Sequence, residues 1–448
     1  MKKVIVAILV SFCGVVGAQE VKNDSVKHIS IDSLQERINL HQLKFDALNE
    51  QLSPLQEQVD KISKLKISGY IQAQYEMYDF QDVPVGTVSA QLKPGTSETN
   101  TILTTNAVDV ANSFVIRRAR IKFTYQPIEG VSFVLQPNFS FSAVTLKDAY
   151  VQLNDPWINT FQLWVGQFNR PDYEVEFSSR DRIILERSRM SGILYPSERD
   201  LGAKLVANFA TEYEIPLNFE LAFFNGNFGE GTIANQEKDV DSQKDAMVRV
   251  NYSLNFKNIG LGVDFGASQY YGKNTVFVAG NFSDVNNAVF AAKVGDQLDK
   301  HWTGFEIQAF YDVLGGFALK SEYNFGTISG HNSAVNALNN NPGFNFNGVR
   351  DFAGYYVTLE KNFGTKYQAA VRYDSWDPNT RLSGNDVTVA PDLKVNTWSF
   401  ALDYFFTNTT KIVLAYTMPI NETSSTVGGI YNNDVKNNTT TLRVQVNF

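Results

Sequence analysis

The chain has 448 residues, of which 43% are hydrophobic, 13% aromatic and 19% charged. A composition this apolar excludes an intrinsically disordered chain. The formal net charge of −8, without any basic tract, argues against nucleic acid as a partner.

The first residues, MKKVIVAILVSFCGVVGAQ, have the pattern of a cleaved export signal covering residues 1–18. Lys2 and Lys3 precede an apolar run, and compact residues follow it where signal peptidase cuts. The run is too short for a permanent membrane helix, which needs about 20 apolar residues. Lipidation at Cys13 is the less favoured alternative, because bulky Phe12 stands where that processing needs a small residue. Without lipidation, the mature chain has no cysteine and therefore no disulfide.

A linker over residues 19–30 leads to a heptad pattern over residues 31–65. Apolar residues there are spaced alternately three and four apart, which predicts a periplasmic coiled-coil helix that self-associates. His41 occupies one position of this seam and is better interpreted as a spacer than as a metal ligand. Pro54 opposes a continuous helix, but Ser53-Pro54-Leu55-Gln56 has a capping pattern that restarts one. The apolar seam comprises Ile31, Leu34, Ile38, Phe45, Leu48, Leu52, Leu55, Val59 and Ile62.

After the coil, segments in which apolar and polar residues alternate recur up to the C-terminus. In the last segment, Leu442, Val444, Val446 and Phe448 interleave with polar residues. Each such segment is long enough to span a bilayer when tilted. About sixteen strands are predicted, near residues 67–79, 113–125, 131–139, 144–153, 160–168, 199–209, 217–226, 244–256, 260–271, 302–313, 316–327, 351–362, 367–376, 396–406, 411–419 and 439–448.

Short and long connections alternate between these strands, and only the link at residues 140–143 breaks the alternation. Outer-membrane barrels have short periplasmic turns and long external loops. A soluble sandwich or propeller, the alternative fold, has no reason to segregate loop lengths in this way. The sequence therefore predicts an all-β protein: a 16-stranded antiparallel transmembrane β-barrel over residues 66–448, located in the Gram-negative outer membrane and in contact with its lipid.

The second predicted strand contains FVIRRARIKF, with four cations in an otherwise apolar ribbon. If Ile121, Phe123 and Tyr125 face lipid, then Arg118, Arg120 and Lys122 face the lumen by parity. Arg117 falls on the lipid side. It requires a bulge, a position at the rim, or a side chain that snorkels to water.

These segments resemble the phosphate-selective porins O and P. FVIRRARIKF is similar to the family's Arg-Arg strand, LKDAYVQL to its next strand, and GQFNRPDYEVEFSSRDRIILERS to its constriction loop. The resemblance covers roughly residues 65–448. It implies a trimer that passes small anions such as phosphate, with Arg117, Arg118 and Arg180 at the constriction and Arg187 in a Glu-Arg pair with Glu186.

The predicted inward-folded loop, about residues 168–198, is rich in arginine and contains no lysine. Arginine suits an anion filter because its planar fork binds phosphate or carboxylate oxygens in pairs. An internally paired loop anchored to the barrel wall is the equal alternative, since Asp172, Glu174 and Glu176 can cancel its charge. The candidate constriction residues are Arg117, Arg118, Arg120, Lys122, Arg180, Arg182 and Arg187.

Elsewhere the predicted lumen is mixed in charge, so ion pairs are expected to brace a water-filled interior. Its cations are Lys204, Arg249, Lys320, Arg372 and Arg443, and its acids are Glu220, Asp264, Glu306, Glu322, Asp374 and Asp403.

A porin for passive diffusion of small solutes, with anion or phosphate selectivity implied by the resemblance, is the function that this pattern favours. An enzyme is disfavoured because His301 and His331 fall in or beside external loops, with no nucleophile motif nearby. No cofactor, metal or catalytic residue is predicted. The alternative is a structural barrel that anchors the coiled coil to the cell wall or to a partner.

Overall fold

The computed structural model describes residues 62–79, 112–140, 144–171, 179–195, 198–226, 243–330, 346–434 and 437–448, together with residues 40, 42–44 and 59. In this part of the chain, the strands are β1 (Leu65–Tyr78), β2 (Asn112–Ile128), β3 (Val131–Phe139), β4 (Val144–Asn154), β5 (Phe161–Asn169), β6 (Arg199–Asn208), β7 (Leu217–Phe224), β8 (Asp245–Phe256), β9 (Leu261–Thr275), β10 (Gly280–Ser283), β11 (Val289–Ala292), β12 (Gln297–Tyr311), β13 (Phe317–Gly330), β14 (Gly348–Phe363), β15 (Tyr367–Asp377), β16 (Val395–Thr407), β17 (Thr410–Asn421) and β18 (Thr439–Asn447). The helices are α1 (Arg189–Leu194) and α2 (Ala210–Tyr213), with 3₁₀ turns at Lys257–Ile259, Gly384–Asp386, Ala390–Asp392 and Gly429–Asn432.

Sixteen of these strands form a closed antiparallel barrel, as predicted. The barrel closes because β1 pairs with both β2 and β18. A closed sheet leaves no unpaired edge, and this lets strands cross a bilayer. The four-residue strands β10 and β11 form a hairpin within the connection from β9 to β12. They are not part of the sixteen-stranded wall, because β9 pairs directly with β12. This hairpin was not predicted, because strands this short give too little alternation to detect.

The wall is apolar outside and polar inside, the reverse of a soluble protein. In β18, Leu442, Val444 and Val446 are exposed, whereas Arg443 and Gln445 are buried on the inner face. The same alternation runs along β16, where Trp398, Phe400 and Leu402 are exposed. Apolar side chains on the outer surface suit lipid, and polar side chains inside suit a lumen.

The connections confirm the predicted alternation of lengths. Short turns at one end join β2 to β3, β4 to β5, β8 to β9, β14 to β15 and β16 to β17. Long connections at the other end include residues 79–111, 170–198, 276–296 and 378–394. We refer to the end with long connections as extracellular, since that is their side in outer-membrane barrels.

The N-terminal predictions lie almost entirely outside the described residues. These are the signal peptide at 1–18 and the coiled coil at 31–65, with its seam residue His41. The described positions 40, 42–44, 59 and 62–63 are helical. No α-helix in the described residues combines the length and the apolar character that crossing a bilayer requires.

Gly69 lies at the point where the barrel closes. Its amide and carbonyl exchange hydrogen bonds of 2.9 and 3.0 Å with Phe448, the last residue. A Cβ at Gly69 would overlap both the Phe448 ring and the Arg120 carbonyl oxygen. Only glycine therefore lets β1 approach both of its neighbours while the terminal ring covers it.

We expect Gly69→Ala to destabilise the closed barrel by about 1 to 3 kcal/mol, the usual range for overpacking. Heat-modified mobility on gels after refolding into detergent measures the folded fraction. Gly262→Ala is the matched control, because nothing lies within 4 Å of a Cβ added there. Equal folded fractions for the two variants would show that closure tolerates the added methyl group.

Candidate functional site

In the connection between β5 and β6, the described residues 179–195 lie inside the barrel and run along its inner wall. Ser179 accepts or donates a hydrogen bond of 2.6 Å with the Tyr70 hydroxyl, and its carbonyl accepts one of 2.7 Å from Gln72. Farther along, the Arg182 carbonyl accepts a bond of 3.1 Å from Lys411. These contacts reach β1 and β17, so residues 179–195, hereafter the constriction loop, line one side of the lumen.

The end of the constriction loop packs against an apolar cluster on the wall. Ser188 caps α1 by accepting a hydrogen bond of 3.2 Å from the Ser191 amide. Leu194 and Tyr195 are buried, and Trp302 donates its indole N–H to the Tyr195 hydroxyl at 3.0 Å. Side chains occupy this part of the lumen, so a solute must pass beside the cluster. Its wall residues include Phe168, Phe224, Met247, Tyr270, Trp302, Phe352 and Trp376.

Glu186 anchors the middle of the constriction loop to β2 and β18 through its carboxylate and to β15 through its backbone carbonyl. Its carboxylate accepts hydrogen bonds from Arg117 at 3.0 Å, from Arg118 at 3.0 Å and from Arg443 at 2.8 Å. Burial alone would raise the pKa of Glu186, but the three cations outweigh it and hold the pKa well below its usual range. Arg372 adds bonds of 2.9 and 3.0 Å to the carbonyls of Glu186 and Arg187. We call Glu186, Arg117, Arg118 and Arg443 the Glu186 cluster.

A β-bulge explains how two consecutive arginines reach this cluster. Gln72 lies opposite Arg118, but the next residue of β1, Ala73, lies opposite Ile116. Arg117 is therefore the extra residue, and the bulge turns both arginines inward. The sequence allowed three explanations for Arg117: a bulge, a position at the rim, or a side chain that snorkels to water. The structure shows the bulge. Phe114 and Ile116, on the other side of the bulge, remain on the exposed outer face.

The family model of phosphate-selective porins O and P matches residues 97–448. The chain belongs to this family. An anion-selective porin from Comamonas acidovorans is 12% identical, with a TM-score of 0.50, and the match covers 86% of this chain and 99% of that one. The outer membrane channel DcaP of Acinetobacter baumannii is 11% identical, with a TM-score of 0.48, covering 86% and 97%. No curated protein sequence gave a match.

Family membership makes the chain an outer-membrane porin, which is a channel. The solved structures, at this low identity, show the fold alone. Both the predicted function class and the predicted location in the outer membrane are confirmed.

A second bulge in the porin turns another charged pair inward. Gln136 of β3 lies opposite Asp148 and Pro137 opposite Leu146, so Lys147 is the extra residue. Lys147 and Asp148 are both buried. Gln167 of β5 donates hydrogen bonds to the carbonyls of Leu146 and Lys147, the latter at 2.8 Å, so both carbonyls of the bulge have partners.

The remaining candidate cations of the porin differ in burial and pairing. Arg120 is buried and donates to the Ser179 hydroxyl at 3.2 Å. Arg187 is buried in an ion pair with Glu198. Arg182 is half-buried.

The side chains of Arg180 and Lys122 are 47% and 35% exposed, against 14% for Arg117 and 8% for Arg118. Arg180 pairs with Asp181 at 3.1 Å, and Lys122 lies 3.8 Å from Asp148. The acids Asp172, Glu174 and Glu176 lie outside the described residues. The role of each candidate at the constriction stays a prediction.

Ion pairs brace the lumen wall away from the constriction loop, as predicted from its mixed charges. Lys204 and Arg249 both contact Glu220 at 3.0 Å, and Arg249 also pairs with Glu306. Lys320 pairs with Glu360 at 2.8 Å across β13 and β14.

The sequence did not indicate that Arg372 and Arg443 hold the constriction loop. The alternation along each strand predicted that both side chains face the lumen, but it could not predict that they bind Glu186 and Arg187 of the loop.

Proposed function

We propose that the porin passes small solutes passively and prefers anions, phosphate among them. The observation that carries this proposal is the Glu186 cluster, where three arginines share one carboxylate. Positive charge is therefore in excess beside the lumen. Low-dielectric walls focus such a field and raise the local concentration of anions. The family's name, phosphate-selective porin, agrees with this preference.

Within this proposal, the candidate cations have two roles. Arg180 on the constriction loop and Lys122 on β2, whose side chains are the more exposed, attract anions in the lumen. Arg117, Arg118 and Arg187 hold the loop in place through carboxylates. A guanidinium stays charged at any relevant pH, so both roles persist across the pH range of the cell envelope.

Single-channel conductance in three salts tests the preference. Acetate moves more slowly than chloride, and lithium more slowly than potassium. In an anion-preferring pore, replacing chloride by acetate lowers the conductance more than replacing potassium by lithium. The opposite order would contradict the proposal.

We also propose that the porin is exported with cleavage after residue 18 and assembles as a homotrimer to which the segment 31–65 adds contacts. The heptad spacing of that segment and the family resemblance support this assembly. N-terminal sequencing of the mature protein and chemical crosslinking of the purified porin test the two statements. A retained signal, or crosslinked species no larger than a monomer, would overturn them.

A further inference from the structure

A hollow lies in the outer surface of the barrel wall, across strands β2 to β5. Its volume is about 350 Å³, and every residue that lines it is apolar or aromatic. Ala149 of β4 alternates with the buried residues Asp148 and Tyr150, so its short side chain points outward and forms the floor. Longer side chains stand around it: Phe123, Tyr125, Phe133, Leu135, Val151 and Val165.

Hydrocarbon is the filling that suits this hollow. Water needs about two to four polar partners, and an apolar lining does not supply them. Empty space is also unfavourable, because the side chains that border it lose dispersion contacts. Leu153 and Leu163, on the same outer face of β4 and β5, are exposed to the lipid that surrounds the barrel. An acyl chain of that lipid can enter the hollow directly, whereas a second copy of the porin needs a protruding side chain of matching shape.

Two opposite charges lie at the periplasmic rim of the hollow. Tyr125 lies opposite Leu65 of β1, and Lys64 precedes Leu65. Lys64 donates a hydrogen bond of 2.8 Å to the Pro127 carbonyl, and since an ammonium has three donors, it can also bind a phosphate oxygen. Glu129, exposed in the turn after β2, adds a carboxylate that suits an ammonium group. A headgroup with one phosphate and one ammonium complements this pair of charges.

We propose that the hollow binds a phospholipid of the periplasmic leaflet, with one acyl chain against Ala149 and a zwitterionic headgroup at Lys64 and Glu129. Shape holds the chain, because lipid tails are as apolar as the side chains around them and only close packing distinguishes one contact from another. The rim charges place the headgroup, and tyrosines such as Tyr125 are common at this level of a membrane. The site is on the outside of the barrel, so it is independent of the anion preference proposed above.

Native mass spectrometry of the full-length porin tests the site by counting the lipids that stay bound. The porin is reconstituted in a mixture of phosphatidylethanolamine and phosphatidylglycerol and is then transferred to a mild detergent. We expect the wild type to retain one phosphatidylethanolamine per chain. Ala149→Phe fills the hollow with a ring and should weaken this retention about tenfold, because the acyl chain loses its packed position. Ala267→Phe is the matched control, since it adds the same ring on the exposed outer face of β9, away from the hollow.

Lys64→Gln removes only the rim cation and should weaken retention about fivefold, the usual effect of one lysine near a charged membrane surface. Heat-modified mobility shows whether each variant is folded, and if Ala149→Phe does not fold, Lys64→Gln alone decides. Wild-type retention in the folded variants, an equal loss in Ala267→Phe, or no retained phosphatidylethanolamine in the wild type would overturn the site. Loss of crosslinked oligomers in Ala149→Phe with lipid retention unchanged would overturn it as well, because a neighbouring subunit would then fill the hollow.

Discussion

Glu186→Gln is expected to release the constriction loop from the wall. The substitution leaves Arg117, Arg118 and Arg443 without their carboxylate, and breaking such a buried cluster costs about 3 to 5 kcal/mol. Amides of residues 179–188 should then exchange hydrogen with solvent faster by roughly two hundredfold to several thousandfold, since the free energy of local opening falls by that amount. Hydrogen-exchange mass spectrometry of the folded porin measures this, and single-channel records should show increased current noise.

Glu360→Gln is the matched control, because Glu360 pairs with Lys320 on the wall away from the loop. It should leave exchange of residues 179–188 unchanged.

The pH dependence of the loop follows from the depressed pKa of Glu186 in the folded protein. The ionised carboxylate gives its full stabilisation at any pH above the pKa of an unfolded glutamate, about 4.3. This stabilisation is lost only when the pH falls through the lower pKa of the folded state. Protection at pH 5 should therefore match that at pH 7. Wild-type exchange rates in Glu186→Gln would show that the apolar contacts of α1 alone hold the loop.

Replacing Lys122 and Arg180 together with glutamine is expected to lower the anion-to-cation permeability ratio about tenfold at low salt. Each exposed cation stabilises an anion at about 4 Å by at most about 1 kcal/mol in a water-like dielectric, and the carboxylates of Asp181 and Asp148 offset part of this, which leaves an effect of about tenfold for the two cations together. Both side chains are exposed enough to act on solutes in the lumen. The effect should shrink as ionic strength rises and screens the two charges.

Lys320→Gln removes one lumen charge away from the constriction loop and should change the permeability ratio much less. If the double variant keeps the wild-type ratio, the partners Asp181 and Asp148 already neutralise the two cations. Arg180 and Lys122 would then be structural residues.

The barrel wall was predictable because each strand separates two different solvents. Lipid outside and water or polar side chains inside impose a period of two, which is visible in segments such as 439–448. The strand ends were less predictable. For example, β12 begins at Gln297 rather than near residue 302, because external loops extend the pairing beyond the membrane.

The contacts of the constriction loop were not predictable from the sequence. Glu186 meets Arg443, 257 positions away along the chain, and this contact depends on how far each strand is shifted relative to its neighbour when the barrel closes. The bulge at Arg117 posed a similar difficulty, since parity showed only that Arg117 was out of phase. A rim position would have produced the same sequence pattern. Pairing register, which is a property of the folded sheet, distinguished the two.

The reversal potential of the wild-type porin in a KCl gradient tests the central claim most directly, that excess positive charge beside the lumen makes the pore prefer anions. With a high KCl concentration on one side and a low one on the other, an anion-preferring pore gives a reversal potential with the sign of the chloride equilibrium potential. That is the result we expect. A potential near zero, or one with the sign of the potassium equilibrium potential, would contradict it.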